Sequence, residues 1–277
     1  METKKIEGFL TALTPIFHGG DEKTGQETLL RRMKWIVHGK PEEIPYVEGN
    51  AIRGYLRRLI MEDFLNQVEY ETKTPRLYHC LFAGGVLEEV SEQATGKLDL
   101  ALRRNIRAFL PPLSLLGGSI ANQAFSGKLV VGKALPVCAE LNEYLPVNSE
   151  LSIYTFLTFS FATRRAEREG PEQPQKKGKN KKENPTVQMI YRHECFVPGT
   201  KFYHWFTLLD TTEIEKSCFA RMIRLWRERP YIGGRSATGS GEIKIGYEIP
   251  YDEEPYLKFL KERKKEIQET LASLERL

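Results

Sequence analysis

Long apolar runs are missing from this chain. None approaches the roughly 18–20 residues that a membrane-spanning helix needs, and the opening Met1-Glu-Thr-Lys-Lys5 has no apolar signal core behind it. Both features lead to the expectation of a cytoplasmic protein with no membrane partner. Cysteine is scarce as well: Cys80, Cys138, Cys195 and Cys218 are widely spaced and contain no C-x-x-C pair, so no disulfide framework is expected. His79-Cys80 and His193-x-Cys195 supply four residue types that bind zinc, but neither spacing matches a zinc knuckle, and no metal or other cofactor is expected. Gly39-Lys40 is followed by Pro41 and not by Ser or Thr, which excludes a P-loop. Charge of one sign is also in short supply. The formal balance of 41 Lys and Arg against 37 Asp and Glu, or +4, is too small to diagnose a polyanionic partner, so the placement of the basic residues matters more than their sum.

What is present begins with Pro45-Tyr-Val-Glu-Gly-Asn-Ala-Ile-Arg-Gly-Tyr-Leu-Arg-Arg58, a glycine-punctuated turn running into a helix. Gly49 and Asn50 suit a tight turn. From 51 to 68, Ile52, Leu56, Leu59, Ile60 and Phe64 recur at helical spacing. Arg53 and Arg57 lie four apart in its first turns, where a cation opposes the helix dipole. Something negative is therefore expected beside them, with RNA as the natural polyanion and a solvated surface helix as the plain alternative.

At 277 residues and 40% hydrophobic composition, the chain can form one large domain or two small ones. Residues 4–17 read as a strand, followed by a turn at His18-Gly-Gly-Asp21. Residues 70–126 are mixed, with a basic patch at Arg103, Arg104 and Arg107 as candidate RNA contacts, and read as an insertion on a core domain, not an extra core element. Strands are expected at 128–137, 151–161, 187–197, 201–209 and 242–249. A second helix is expected at 212–229, with Phe219, Met222, Ile223 and Trp226 as its apolar stripe, and a charged helix closes the chain. Between 164 and 184 almost no large apolar residue occurs, and Lys176 and Lys177 belong to a run of basic residues. That stretch is expected to be the mobile tip of a β-hairpin spanning 151–197, either solvated or an arm for phosphates. The glycine-rich Ile232-Gly-Gly-Arg-Ser-Ala-Thr-Gly-Ser-Gly241 leads into a strand, which excludes a dinucleotide fingerprint. Its glycines let backbone approach a phosphate, and Arg235, Ser236 and Thr238 add donors.

Four of these motifs, in order, resemble the RAMP (repeat-associated mysterious protein) superfamily of CRISPR systems. They are Thr14-Pro-Ile-Phe-His-Gly-Gly20, Val47-Glu-Gly-Asn-Ala-Ile-Arg-Gly54, Leu116-Gly-Gly118 before Gly127-Lys-Leu-Val-Val-Gly-Lys-Ala134, and the late glycine-rich loop. The order is similar to that of the backbone subunits that stack along guide RNA in effector complexes. The resemblance implies an α+β fold: an RRM-like (ferredoxin-like) palm, a finger insertion and a β-hairpin thumb. The palm takes residues 1–69, 128–155 and 198–250, the fingers 70–127, the thumb 156–197, and a charged helix 251–277.

It further implies that Asn50, Arg53 and Arg57, with Gly233, Gly234, Arg235 and Ser236, hold guide phosphates. His18 and Gly19 lie close by, and Met189 on the thumb acts as a wedge between bases. The implied partners are crRNA, target DNA (or RNA), further copies of the chain in a head-to-tail array, and other effector subunits. Subunits of this kind that cleave target RNA carry an aspartate midway between the first strand and the turn-helix. Here Leu29–Val37 holds no carboxylate and Asp21 sits directly after the glycines, so a non-catalytic subunit of a DNA-targeting assembly, type I-D or type IV, is expected. Two alternatives remain: an endoribonuclease of the same superfamily, either guide-processing with His18 as general base or target-RNA-cleaving, and a basic protein that binds an acidic partner other than RNA.

Overall fold

The structure is a computed structural model that describes residues 2–24, 27–85, 100–120, 123–164 and 189–277. In chain order the elements are β1 (Thr3–Ala12), β2 (Gly19–Thr24), β3 (Glu27–Leu30), β4 (Arg32–Val37), β5 (Lys40–Pro45), α1 (Gly49–Gln67), α2 (Pro75–Ala83), α3 (Leu100–Phe109) and α4 (Pro111–Leu116). There follow β6 (Gly118–Ile120), β7 (Gln123–Phe125), β8 (Leu129–Val131), β9 (Leu135–Pro136), β10 (Leu157–Arg164), β11 (Met189–Phe196) and β12 (Lys201–Leu209). The last are α5 (Glu213–Glu228), β13 (Ile243–Tyr247), α6 (Glu254–Glu262) and α7 (Lys264–Glu275).

The central sheet has the order β13-β1-β12-β8, all pairs antiparallel, with β9 also on β12. Read along the chain as β1, α1, β8, β12, α5, β13, this is the β-α-β-β-α-β arrangement of an RRM-like palm. The period-2 alternation of the strands divides its faces. Ile6, Leu10, Phe202, Phe206 and Leu208 are buried on one side, where Phe206 meets Phe219 and Trp226 of α5 edge-on. Lys5, Glu7 and Lys201 are exposed on the other.

Helix α1 buries Ile52, Leu56, Leu59, Ile60 and Phe64, the stripe its spacing predicts. Helix α5 starts with a reciprocal capping box between Thr212 and Glu215, a device worth about 1 kcal/mol. The expected stripe of Phe219, Met222, Ile223 and Trp226 is buried.

Strands β10 and β11 form the thumb hairpin, in register from Leu157↔Phe196 to Arg164↔Met189. Its basic tip, with Lys176 and Lys177, lies outside the described residues.

Several expectations are corrected. The glycines after His18 do not make a turn: Gly19 opens β2, which pairs with β3 and so joins the thumb sheet in the order β10-β11-β3-β2. The strand expected at 151–161 begins only at Leu157, because Ile153–Phe156 form a 3-10 turn. The described part of residues 70–126 contributes to the core and does not lie wholly outside it, since Leu77, Cys80, Leu81, Leu113, Leu115 and Leu116 are buried in the cluster that holds α1. The closing helix is two helices, broken at Arg263, and Tyr256, Leu260, Ile267, Leu271 and Leu274 are buried in the same core. No helix among the described residues is long and apolar enough to cross a membrane.

Candidate nucleic-acid interface

Arg57 and Arg53 do have something negative beside them, but it is the protein's own backbone. Arg57 is buried and donates from Nη1 to the carbonyl of Leu81 (3.2 Å) and from Nη2 to those of Leu116 (2.7 Å) and Gly117 (2.9 Å), with Cys80 at the margin of range. Arg53 donates to the carbonyls of Leu129 (2.7 Å) and Leu116. These carbonyls include the C-terminal ends of α2 and α4, where orphan acceptors and the negative dipole pole favour a cation. Burial, then the neighbouring Arg53 charge, pulls the Arg57 guanidinium down to about 10. Burial also lowers Arg53. Arg57, expected to hold a guide phosphate, is instead buried with Nη1 and Nη2 directed at these carbonyls, which ties α1 to α2 and α4.

The positive end of α1 is likewise occupied from within. Glu48 caps the helix, accepting from the Gly49 N–H (3.0 Å), the Lys133 ammonium (2.7 Å) and the Tyr46 hydroxyl (3.0 Å). Burial alone would raise the Glu48 carboxyl; hydrogen bonds from Lys133 and Tyr46 hold it below its usual value. Gly49 is required by packing, since a Cβ there would stand 2.5 Å from the carbonyl oxygens of Val131 and Gly132. The Glu48 N–H donates to His18 Nε2 (3.2 Å), which fixes the strip 17–19 beside the helix start. Asn50 is exposed on the first turn.

On the other side of that strip lies the glycine-rich loop. The Gly234 N–H donates to the Phe17 carbonyl (2.8 Å). Gly233 has φ 74°, and a Cβ on it would meet the Phe17 oxygen at 2.4 Å. Arg235 follows in the left-handed region at φ 65°, a conformation that costs a non-glycine residue about 1–2 kcal/mol. Its exposed guanidinium lies 5.1 Å from the centre of the Phe17 ring. Phe17 in turn meets His193 edge-on at 5.3 Å. His193 is buried, and its Nδ1 has no hydrogen-bond partner among the described residues. Burial, followed by the Arg235 charge, lowers its pKa. Ser236 and Thr238 are exposed beyond Arg235, with Thr238 donating back to the Arg235 carbonyl at 2.9 Å.

His18, Gly19, Asn50, Gly233, Gly234, Arg235 and Ser236 therefore border one strip of surface. The residues that sequence reasoning passed over are Phe17, Tyr46, Glu48, Lys133 and His193. Phe17, Tyr46, Glu48 and Lys133 all sit inside the motifs, so their signal was available, whereas the Lys133–Glu48 and Phe17–His193 contacts join residues distant in sequence.

The remaining candidates lie on other elements. On α3, Arg103 donates to the Ala124 carbonyl (2.7 Å), and Arg107 to the Ser114 (2.7 Å) and Ser126 (2.6 Å) carbonyls, while Arg104 is exposed. The three border an open cleft of about 370 Å³. Met189 lies on β11 opposite Arg164. Asp21 lies within β2 and not in a turn. All four cysteines are buried and free, and no group of three or more His, Cys, Asp or Glu among the described residues is placed to hold a metal ion.

No family model matches the sequence, and no curated protein matches it. Its fold is similar to that of a chain in a solved structure described as a "Type IV-B CRISPR Complex", with a TM-score of 0.64 and 21% identity, covering 89% of this chain and 91% of that one. The likeness extends over nearly the full length of both chains, and the fold they share is the RRM-like palm with its added elements.

Proposed function

We propose that the chain is a subunit of a CRISPR effector complex that binds crRNA along the strip 17–19 and lines up copies of itself head to tail on the guide. The observation that carries this reading is the Gly233–Arg235 loop. It is bonded to Phe17, and it bears a guanidinium held exposed in a left-handed conformation that the fold must stabilise. Asn50, Ser236 and Thr238 add exposed neutral donors along the same strip. Contacts of this sort position a phosphate backbone without reading bases, as a protein that accepts any guide requires. The motif order and the fold shared with the Type IV-B complex chain support the same reading.

The proposed role is non-catalytic, with target recognition left to base pairing and other effector subunits supplying the rest of the assembly. His18 Nε2 already accepts a hydrogen bond from the Glu48 N–H, which disfavours that atom as the general base of a guide-processing nuclease.

The test is the protein purified from a heterologous host. Wild type is expected to carry protected RNA of mixed sequence in large assemblies, and Arg235→Glu to lose it while remaining folded. An Arg235→Glu protein that retains the same RNA removes the loop from the site.

A further inference from the structure

The palm sheet has a second face that the strip 17–19 does not use. On β1 and β12, the two central strands, the outward positions of the alternation carry Phe9, Tyr203 and Trp205. Phe9 stands opposite Tyr203, ring centres 6.2 Å apart. Gly246 of β13 stands opposite Phe9 on its other side and presents no side chain.

Lysines lie against these rings. Lys201 Nζ is 3.9 Å from the Phe9 ring centre and Lys5 Nζ is 5.6 Å from that of Trp205, while Lys244 projects beside them opposite Thr11. Among the outward positions within β1, β12 and β13 the one carboxylate is Glu7, bonded to Lys5 (2.5 Å) and Tyr203, while Glu242 and Glu248 flank the two ends of β13, so Lys201 and Lys244 are the cations set directly beside the rings. Lys5, Lys201 and Lys244 are exposed, Phe9 and Trp205 are half-buried, and Tyr203 lies lower.

We infer that this outer face is a second contact surface, for single-stranded RNA, with bases stacking on Phe9 and Trp205 and phosphates meeting Lys5, Lys201 and Lys244. Aromatic rings on the two middle strands of a four-stranded RRM-like sheet are the platform on which such sheets stack bases. Sequence-tolerant binding of single strands needs this combination of π-faces and basic side chains. A lysine over a ring occupies the place of a base through a weak cation–π contact; its flexible stem lets it swing aside to a phosphate. The choice of RNA as occupant rests on the guide-binding proposal, whereas the surface is defined by residues that the strip 17–19 does not contain.

The test uses the full chain and a 12-nucleotide RNA of 5-iodouridine, with photo-crosslinked peptides mapped and affinity measured. Crosslinks at Phe9 or Trp205 are expected, together with about tenfold weaker binding for Lys201→Glu/Lys244→Glu and for Phe9→Ala. The sheet crosslinks should persist in Arg235→Glu. Crosslinks confined to 17–19 and 233–239, with both sheet variants binding as wild type, would overturn the inference and leave the guide-binding proposal standing. If the nucleic-acid-free protein self-associates and Lys201→Glu/Lys244→Glu abolishes that, the face belongs to a second copy and the inference is wrong. An absence of crosslinks anywhere would remove both.

Discussion

Arg57 on α1 and Arg235 on the glycine-rich loop present the same guanidinium in opposite settings. Arg57 is buried, with its Nη1 and Nη2 directed at carbonyls of the α2 and α4 ends. Arg235 is exposed, stacked over Phe17, on a backbone that has to be held in a left-handed conformation. The first setting is stabilising and closes the side chain to ligands. The second spends stability to present a cation at the surface, a pattern associated with functional sites. An arginine near a helix start is thus no guide to phosphate until its donors are accounted for. In this fold that accounting moves the expected phosphate contact from α1 to the loop.

Four substitutions break or sharpen the contrast. Arg57→Ala should have the largest effect, lowering stability by about 3 kcal/mol because buried carbonyls lose a charged donor. Urea denaturation reads the loss, and the protein that remains folded should bind RNA as wild type does. Gly49→Ala comes next, at about 2 kcal/mol, because the added methyl meets two backbone oxygens that cannot yield cheaply. The same denaturation series checks it, and normal RNA affinity in the folded protein would confirm that this glycine serves packing. Arg235→Glu should leave the urea midpoint within error and weaken RNA binding about tenfold, roughly 1.4 kcal/mol.

The smallest effect is expected at Glu48, whose carboxyl is held below its ordinary value. Such a group contributes stability above its unfolded pKa of 4.5, and the contribution fades as pH falls through the lower folded value. Glu48→Gln should therefore reduce stability at pH 7 and narrow the difference between pH 7 and pH 3. Equal midpoint shifts for wild type and variant across that range would show that the carboxylate does not hold the helix start.

The palm was legible where local pattern and tertiary burial agree. The stripes of α1 and α5 and the alternation of β1 and β12 are periodic, and each faces the core as its period predicts. Local pattern failed where pairing is long-range. Gly19–Thr24 is poor in strand formers and extends only because β3 pairs with it, and β3 is anchored in turn by the parallel neighbour β11. The aromatic, β-branched run from Leu151 looked like strand throughout, yet Ile153–Phe156 turn before the hairpin starts.

The site was half legible. The motifs put 17–19, 49–50 and 233–236 on one strip, but nothing local reveals that Glu48 and Lys133 neutralise the helix start. Nor does the sequence show that α2 and α4 deliver carbonyls to Arg53 and Arg57, since those partners lie between 23 and 63 residues away. The aromatic outer face of the palm is written in plain alternation, and went unread because a half-buried aromatic in a strand is ordinarily taken for core.

The central claim, that the loop and not the α1 arginines meets the RNA backbone, is tested most directly by the salt dependence of guide-RNA affinity in wild type, Arg235→Glu and Arg53→Gln. The account predicts a slope of log K against log salt that is shallower by about 0.7 for Arg235→Glu, one phosphate contact on a single strand, and unchanged for Arg53→Gln. A wild-type slope in Arg235→Glu together with a shallower one in Arg53→Gln would contradict it.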